Sequence, residues 1–230
     1  MEKLLETFIA LKQKNLSIDL TRGKPHSDQL DLSNNLMTQA VDPIGENGVD
    51  LRNYGEPIGI IEARKLGADI LDSKIDLTIA GEQSSYLLMT QLLLGRFLFG
   101  LDDDPWKNDK EPAFLCAVPG FDRHFATLEG LGLKMHTVNL CSSGIDLDDL
   151  NKKLSKYPNI KGLICVPRHS NPSGEVFSDE NITNLLKITK EYNSSFINLF
   201  DHAYLIHDFD ETRVQTPIPH LADGLDALDN

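Results

Sequence analysis

Ile160-Lys161-Gly162-Leu163-Ile164-Cys165-Val166, followed by Pro167-Arg168-His169-Ser170-Asn171-Pro172-Ser173-Gly174, decides how the chain folds. The first run is almost continuously apolar, as expected of a parallel strand covered on both faces. The second consists of turn formers that cannot continue a strand and must build a loop at its C-terminal end. In open α/β sheets that end is where ligands bind. Ser178 then reads as an N-cap, with Asp179 and Glu180 in the first turn of a helix carrying Leu185, Leu186 and Ile188. A further apolar run, Phe196 to Phe200, delivers Asp201-His202-Ala203-Tyr204. The unit is β-α-β.

Composition narrows the classes around this unit. The chain has 230 residues, 40% hydrophobic and 25% charged, which fits one large globular domain or one and a half. Lys plus Arg is 22 against 35 Asp plus Glu, a net charge of −13 that argues against a nucleic-acid surface. Cys116, Cys141 and Cys165 are odd in number and widely spaced, so they read as reduced residues of a cytoplasmic protein, not as a disulfide or zinc framework. The start, Met1 to Glu6, is charged and has no apolar signal region. Leu87 to Leu101 is the most apolar stretch, too short for a membrane span and interrupted by Gln91 and Arg96. No partner of the nucleic-acid or membrane kind is expected. His202 and His207 are the one close histidine pair beside the loop, and no cysteine or carboxylate stands at zinc-ligand spacing with them. Nucleophile-elbow, Walker and Gly-x-Gly-x-x-Gly patterns are all missing, which leaves hydrolase, NTPase and dehydrogenase readings without a carrier.

Ser170-Asn171-Pro172-Ser173-Gly174 and, one helix and one strand later, Phe200-Asp201-His202-Ala203-Tyr204 together resemble the fold-type I pyridoxal phosphate (PLP) enzymes. Within them the likeness is to the class I/II, aspartate aminotransferase-like branch, whose members carry an Asn-Pro-(Thr or Ser)-Gly loop and an Asp-x-x-Tyr after the next strand. The resemblance implies that Asp201 faces the pyridine nitrogen and keeps it protonated, while Asn171 and Tyr204 hydrogen-bond the phenolate oxygen of the ring. A cationic ring nitrogen held away from water needs an anionic partner, and breaking a buried pair of that kind costs roughly 3–5 kcal/mol. Read singly, Asn-Pro is an ordinary turn former and Asp201 an ordinary N-cap.

The rest of the chain extends the pattern in order. Leu4, Leu5, Phe8 and Leu11 trace a helical stripe, predicting a helix over 2–14. Thr21-Arg22-Gly23-Lys24-Pro25 follows, and by the resemblance Gly23 lets the backbone approach the substrate; on the residues alone it is a turn. Residues 26–56 are polar and predict an extended surface connection ending at Arg52-Asn53-Tyr54-Gly55. The family's tyrosine at the place of Tyr54 reaches the cofactor phosphate of the other subunit; otherwise Tyr54 is a half-buried surface aromatic. After Pro57, Ile60 to Leu71 predict a helix through about Asp72.

Leu77 to Ala80 reads as a strand, Gly81-Glu82-Gln83-Ser84-Ser85 as a turn, and the run from Leu87 as a buried helix. A polar turn opening a helix is an anion site, because free backbone N–H groups point at a phosphate there. The resemblance makes Ser84 and Ser85 the phosphate cup; a plain serine N-cap is the alternative. Ala113 to Val118 is a strand leading to Pro119-Gly120-Phe121 and a helix to about Leu131. Phe121 stacks on the cofactor ring by the resemblance, or is simple core. Lys134 to Val138 predicts another strand and Leu147 to Leu154 another helix.

The fold expected is therefore α/β, PLP-dependent transferase-like: a mostly parallel three-layer sheet with flanking helices, incomplete at the C-terminal end. Residues 1–56 are expected to belong to the small domain and a dimer-contact arm, residues 57–230 to a partial large cofactor-binding domain. In the family two further strands lie between the fifth strand, here Phe196 to Phe200, and the first, here Leu77 to Ala80. The Schiff-base lysine comes after Asp-x-x-Tyr, yet no lysine follows Lys190 and Arg213 is the last arginine. The expectation is an N-terminal portion of a homodimeric aminotransferase acting on an amino acid and a 2-oxo acid, without its own catalytic lysine. The alternative is a non-catalytic PLP-binding or interaction module, such as the effector domain of a PLP-dependent transcription regulator.

Overall fold

The computed structural model describes residues 2–18, 23–100 and 104–208. Thr21-Arg22, Arg213 and the tail from Gln215 thus lie outside the described residues. The chain divides into two compact units, Met1–Pro43 and Ile44–Asn230.

The first unit holds α1 (Glu2–Gln13), α2 (Ser27–Asp31) and a 3-10 turn at Asn34–Thr38. Ahead of α2, His26 Nδ1 accepts the Asp28 N–H at 3.3 Å and Gln29 Oε1 accepts the His26 N–H at 2.7 Å. Residues 26–56 are accordingly not the uniformly extended connection the composition suggests. Short polar side chains satisfy nearby backbone groups and let one-turn helices form where no apolar periodicity announces them.

The second unit runs α3 (Ile61–Leu71), α4 (Ser85–Phe99), β1 (Ala113–Val118), α5 (Asp122–Gly130), β2 (Lys134–Cys141), β3 (Gly144–Ile145), α6 (Leu147–Lys156), β4 (Ile160–Cys165), α7 (Asp179–Tyr192) and β5 (Ile197–Phe200). The sheet order is β3-β2-β1-β4-β5. All neighbours pair in parallel except the two-residue β3, which pairs antiparallel to the end of β2. Alternation along β1 divides the core. Ala113, Leu115 and Ala117 join Leu150 and Leu154 of α6 and Ile182 and Leu185 of α7. Phe114 and Cys116 face the other way, toward Leu93 of α4 and Leu128 of α5. Side chains of a strand point to opposite faces in turn, so an all-apolar strand demands helices on both sides. The three layers follow.

Gly162 in β4 makes one of these layers possible. A Cβ there would come within 2.5 Å of both the Ile197 carbonyl oxygen and the Phe114 ring. The fully buried Phe114 ring crosses the strand where only hydrogen is present.

Two expectations fail. Leu77 to Ala80 is no strand: a 3-10 turn occupies Ile75–Leu77. The backbone groups go elsewhere, the Thr78 carbonyl to the Arg64 Nε at 2.8 Å and the Ala80 N–H to the Ile58 carbonyl at 2.9 Å. An apolar alternation cannot become a strand without a neighbour, and no described strand lies beside it. The second failure is α4, which is apolar on most sides yet buries fully only Leu93. Met89 and Phe97 lean on the same cluster, while Leu87, Leu92, Leu94 and Phe99 remain exposed.

The strand order positions the site. From β1 the chain moves through α5 to β2 on one side, whereas β4 moves through α7 to β5 on the other. Between β1 and β4 the winding reverses, leaving a crevice at the C-terminal ends of the strands.

Candidate cofactor site

Ten residues from four segments line a cavity of about 260 Å³ at that crevice, close to the lower end of small-ligand pockets. Ser84, Ser85 and Tyr86 come from the start of α4, Phe121 and Arg123 from the turn after β1 and the first turn of α5, Val166 and Asn171 from the loop after β4, and Asp201, Ala203 and Tyr204 from the segment after β5. The six residues expected on one cavity within this unit therefore meet there. Gly23 belongs to the first unit and is exposed, with open space around it. Tyr54 is 97% exposed and borders a separate small crevice with Asn47, Leu51 and Ile60.

Each lining residue has a local reason for its place. Gly120 turns β1 into α5, since an added Cβ would stand 2.4 Å from the Ala117 carbonyl oxygen and 2.7 Å from the Phe125 ring. Phe121 becomes the N-cap of α5, and His124, one turn on, meets its ring edge-on with centroids 5.1 Å apart. The peptide bonds before Pro119 and Pro172 are cis. Ser84 is the N-cap of α4 but makes no side-chain capping bond. Its carbonyl accepts the N–H groups of Leu87 and Leu88, so the Ser85 and Tyr86 amides have no intrahelical acceptor. Two hydroxyls and two amides are thereby gathered at a helix N-terminus, a donor set suited to an oxyanion.

Asp201 anchors the opposite chemistry. Its N–H donates to the Cys165 carbonyl at 2.9 Å, prolonging the β4–β5 ladder by one residue. One carboxylate oxygen accepts the Ala203 N–H at 3.1 Å. The other lies 3.0 Å from His124 Nε2, with both side chains buried. Asn171 Nδ2 donates across to the Tyr204 hydroxyl at 3.5 Å, a long bond that brings the loops after β4 and β5 together.

Burial shapes the neighbouring titrations. The Cys165 thiol is pushed well above its ordinary range by burial and then by the charge of Asp201, and burial pushes Cys116 up to about 12. Neither can serve as a thiolate nucleophile. His202 is lowered, chiefly by burial; Asp201 opposes the shift and Arg168 adds to it. Among the described residues, no group of His, Cys, Asp and Glu could hold a metal ion, and no helix is long and apolar enough to cross a membrane.

Three site residues escape a reading of motifs. His124 sits three positions after Phe121, a spacing that puts both on one side of a helix start. Arg123 and Tyr86 carry no motif. Tyr86 is placed by the Thr127 hydroxyl, which donates to its oxygen at 2.7 Å.

The aspartate amino-transferase family model matches residues 1–222, and the chain belongs to that family. An aspartate aminotransferase of Corynebacterium glutamicum is 36% identical over 212 residues, covering 90% of this chain and 48% of the relative. The crystal structure of an aspartate transaminase from the same organism superposes with a TM-score of 0.80 at 35% identity, covering 88% of this chain and 48% of that one. An α-aminoadipate aminotransferase from Thermus thermophilus, complexed with N-(5'-phosphopyridoxyl)-L-leucine, shares the fold at 20% identity and a TM-score of 0.50 over 65% of this chain and 35% of its own. The chain spans about half the length of the relatives it matches.

Proposed function

We propose that this chain supplies the cofactor-cradling half of a PLP-dependent aminotransferase that moves an amino group between an amino acid and a 2-oxo acid. The observation that carries the reading is the buried carboxylate of Asp201, which lies 3.0 Å from His124 and lines the same cavity as a hydroxyl-bearing helix N-terminus. That donor set fits the group: one end is anionic for a protonated ring nitrogen, the other offers donors to a phosphate. When bound, PLP supplies an electron sink for the carbanion left by loss of the substrate α-proton.

The chain's own residues divide the task. Asp201 holds a proton on the ring nitrogen, and His124 fixes the carboxylate against rotation. Ser84, Ser85 and the adjoining amides bind the phosphate. Phe121 offers its ring face for stacking, oriented by the edge of His124. Asn171 and Tyr204 hold the phenolate oxygen, and Asn171 also borders the substrate. Tyr54, exposed on its loop, serves the partner's site in a cytoplasmic homodimer, with residues 1–56 as the small-domain and contact arm. Among the described residues no lysine lines the cavity, so in this reading the amine that would link covalently to the cofactor is not part of its lining.

Titrating the purified chain with PLP, followed by fluorescence, tests this. Saturable binding that weakens by roughly tenfold or more in Asp201→Asn is expected, given the cost of leaving a buried cation unpaired. Equal binding by both forms, or none by the wild type, would sink the reading.

A further inference from the structure

Arg168, His169 and Asp208 lie outside the cavity lining, yet they join the two loops that carry its catalytic face. Arg168 lies three residues past the end of β4 and is 5% exposed. Its Nη2 donates to one Asp208 oxygen at 2.6 Å, and His169 Nε2 stands 2.5 Å from the other. One carboxylate thus engages two consecutive residues of the other loop. Burial alone would raise the Asp208 pKa, but hydrogen bonds from Arg168 and His169 outweigh it and hold the carboxyl below its ordinary range.

What this fork constrains is visible on either side of it. After His169, Ser170 is buried and tied by its N–H to the Glu175 carbonyl at 2.9 Å, which sets Asn171 at the start of a closed turn. Before Asp208, two turns succeed each other, Leu205 N–H to the His202 carbonyl and His207 N–H to the Tyr204 carbonyl, each at 3.1 Å. Tyr204 is the corner between them. The long 3.5 Å contact from Asn171 to Tyr204 cannot by itself hold the loops in register.

We propose that Asp208 is a positioning residue: by clamping Arg168 and His169 it sets the separation of Asn171 and Tyr204, and so the grip of the site on the oxygen of an aromatic ring. The consequence for the cofactor rests on the function proposed above; the clamp itself does not.

Hydrogen exchange of the full chain, resolved over residues 168–175 and 201–207, tests the clamp without any cofactor. In Asp208→Ala exchange should rise several-fold in both segments together, while α6 and β1 stay unchanged. A rise confined to 201–207 would overturn the proposal. His169→Ala, which removes one arm at a partly exposed position, should give a smaller rise in the same two segments, so a failure of Asp208→Ala to fold leaves the question answerable. The second arm is a cycle in PLP affinity. Asp208→Ala should weaken binding about tenfold in the wild type and little further in Asn171→Ala, because the clamp acts through that residue. Equal losses in both backgrounds would overturn it. Should the wild type not bind PLP, the exchange arm still decides the clamp, and only the functional reading falls.

Discussion

His124 Nε2 stands 3.0 Å from Asp201 Oδ2, with 3% and 7% of the two side chains exposed. The pair links α5 to the residue after β5, across the end of the sheet, and its Asp201 member lines the cavity. Replacing His124 by Asn leaves a buried carboxylate short of one partner. Loss of a partner from a buried charged group costs roughly 1–3 kcal/mol, and a comparable loss of PLP affinity, about tenfold, is expected with it. Urea unfolding and a PLP titration of the same variant check both halves; an unchanged affinity would mean that His124 does not act through Asp201.

Gly162→Ala should be among the most damaging single changes in the sheet. The new methyl would meet both the Ile197 carbonyl oxygen and the Phe114 ring, each at 2.5 Å. Overpacking of this kind costs roughly 1–3 kcal/mol, and more where backbone must shift. The midpoint of urea denaturation reports it directly.

His202 predicts a pH dependence of stability. Burial holds its pKa below the ordinary value of 6.5, with Asp201 opposing and Arg168 reinforcing the shift. The unfolded chain therefore takes up this proton first. The contribution is fully present above 6.5 and is lost as pH falls from there toward the folded value. His202→Gln should flatten the decline in denaturation midpoint over that window, and an unaltered pH profile would contradict the assignment.

Incubation of residues 1–230 with PLP, borohydride reduction and peptide mapping should yield no single stoichiometric pyridoxyl-lysine. Lys152, Lys153, Lys187 and Lys190 lie on α6 and α7, and among the described residues no lysine lines the cavity. Strongly hydrated amines on helix faces react weakly and without selection. One uniquely labelled lysine would show that an amine does reach the cavity.

Much of the site was legible because its residues sit where a strand must end. An apolar run closed by Pro167 or by Asp201 announces both the strand and its functional end, and the alternation of such runs with helical stripes specifies a parallel sheet. His124 was not legible in this way. Its signal, a histidine one turn past Phe121, acquires meaning only when β5 brings Asp201 beneath α5. The same holds for Leu77 to Ala80, where local pattern met the requirement for a strand and tertiary structure supplied no neighbour to pair with.

By itself, then, the sequence determined most of the elements, the parallel pairing of the principal strands and the residues at their ends, since these depend on apolar periodicity and turn chemistry within a few positions. Tertiary structure alone decided which strand lies beside which, and therefore the reversal between β1 and β4 that opens the cavity. It also decided the contacts of His124 with Asp201 and of Asp208 with Arg168 and His169, pairs whose members stand 77, 40 and 39 positions apart in the chain. No local preference encodes such pairs: they form because the packed core brings each carboxylate beside donors contributed by distant segments of the chain.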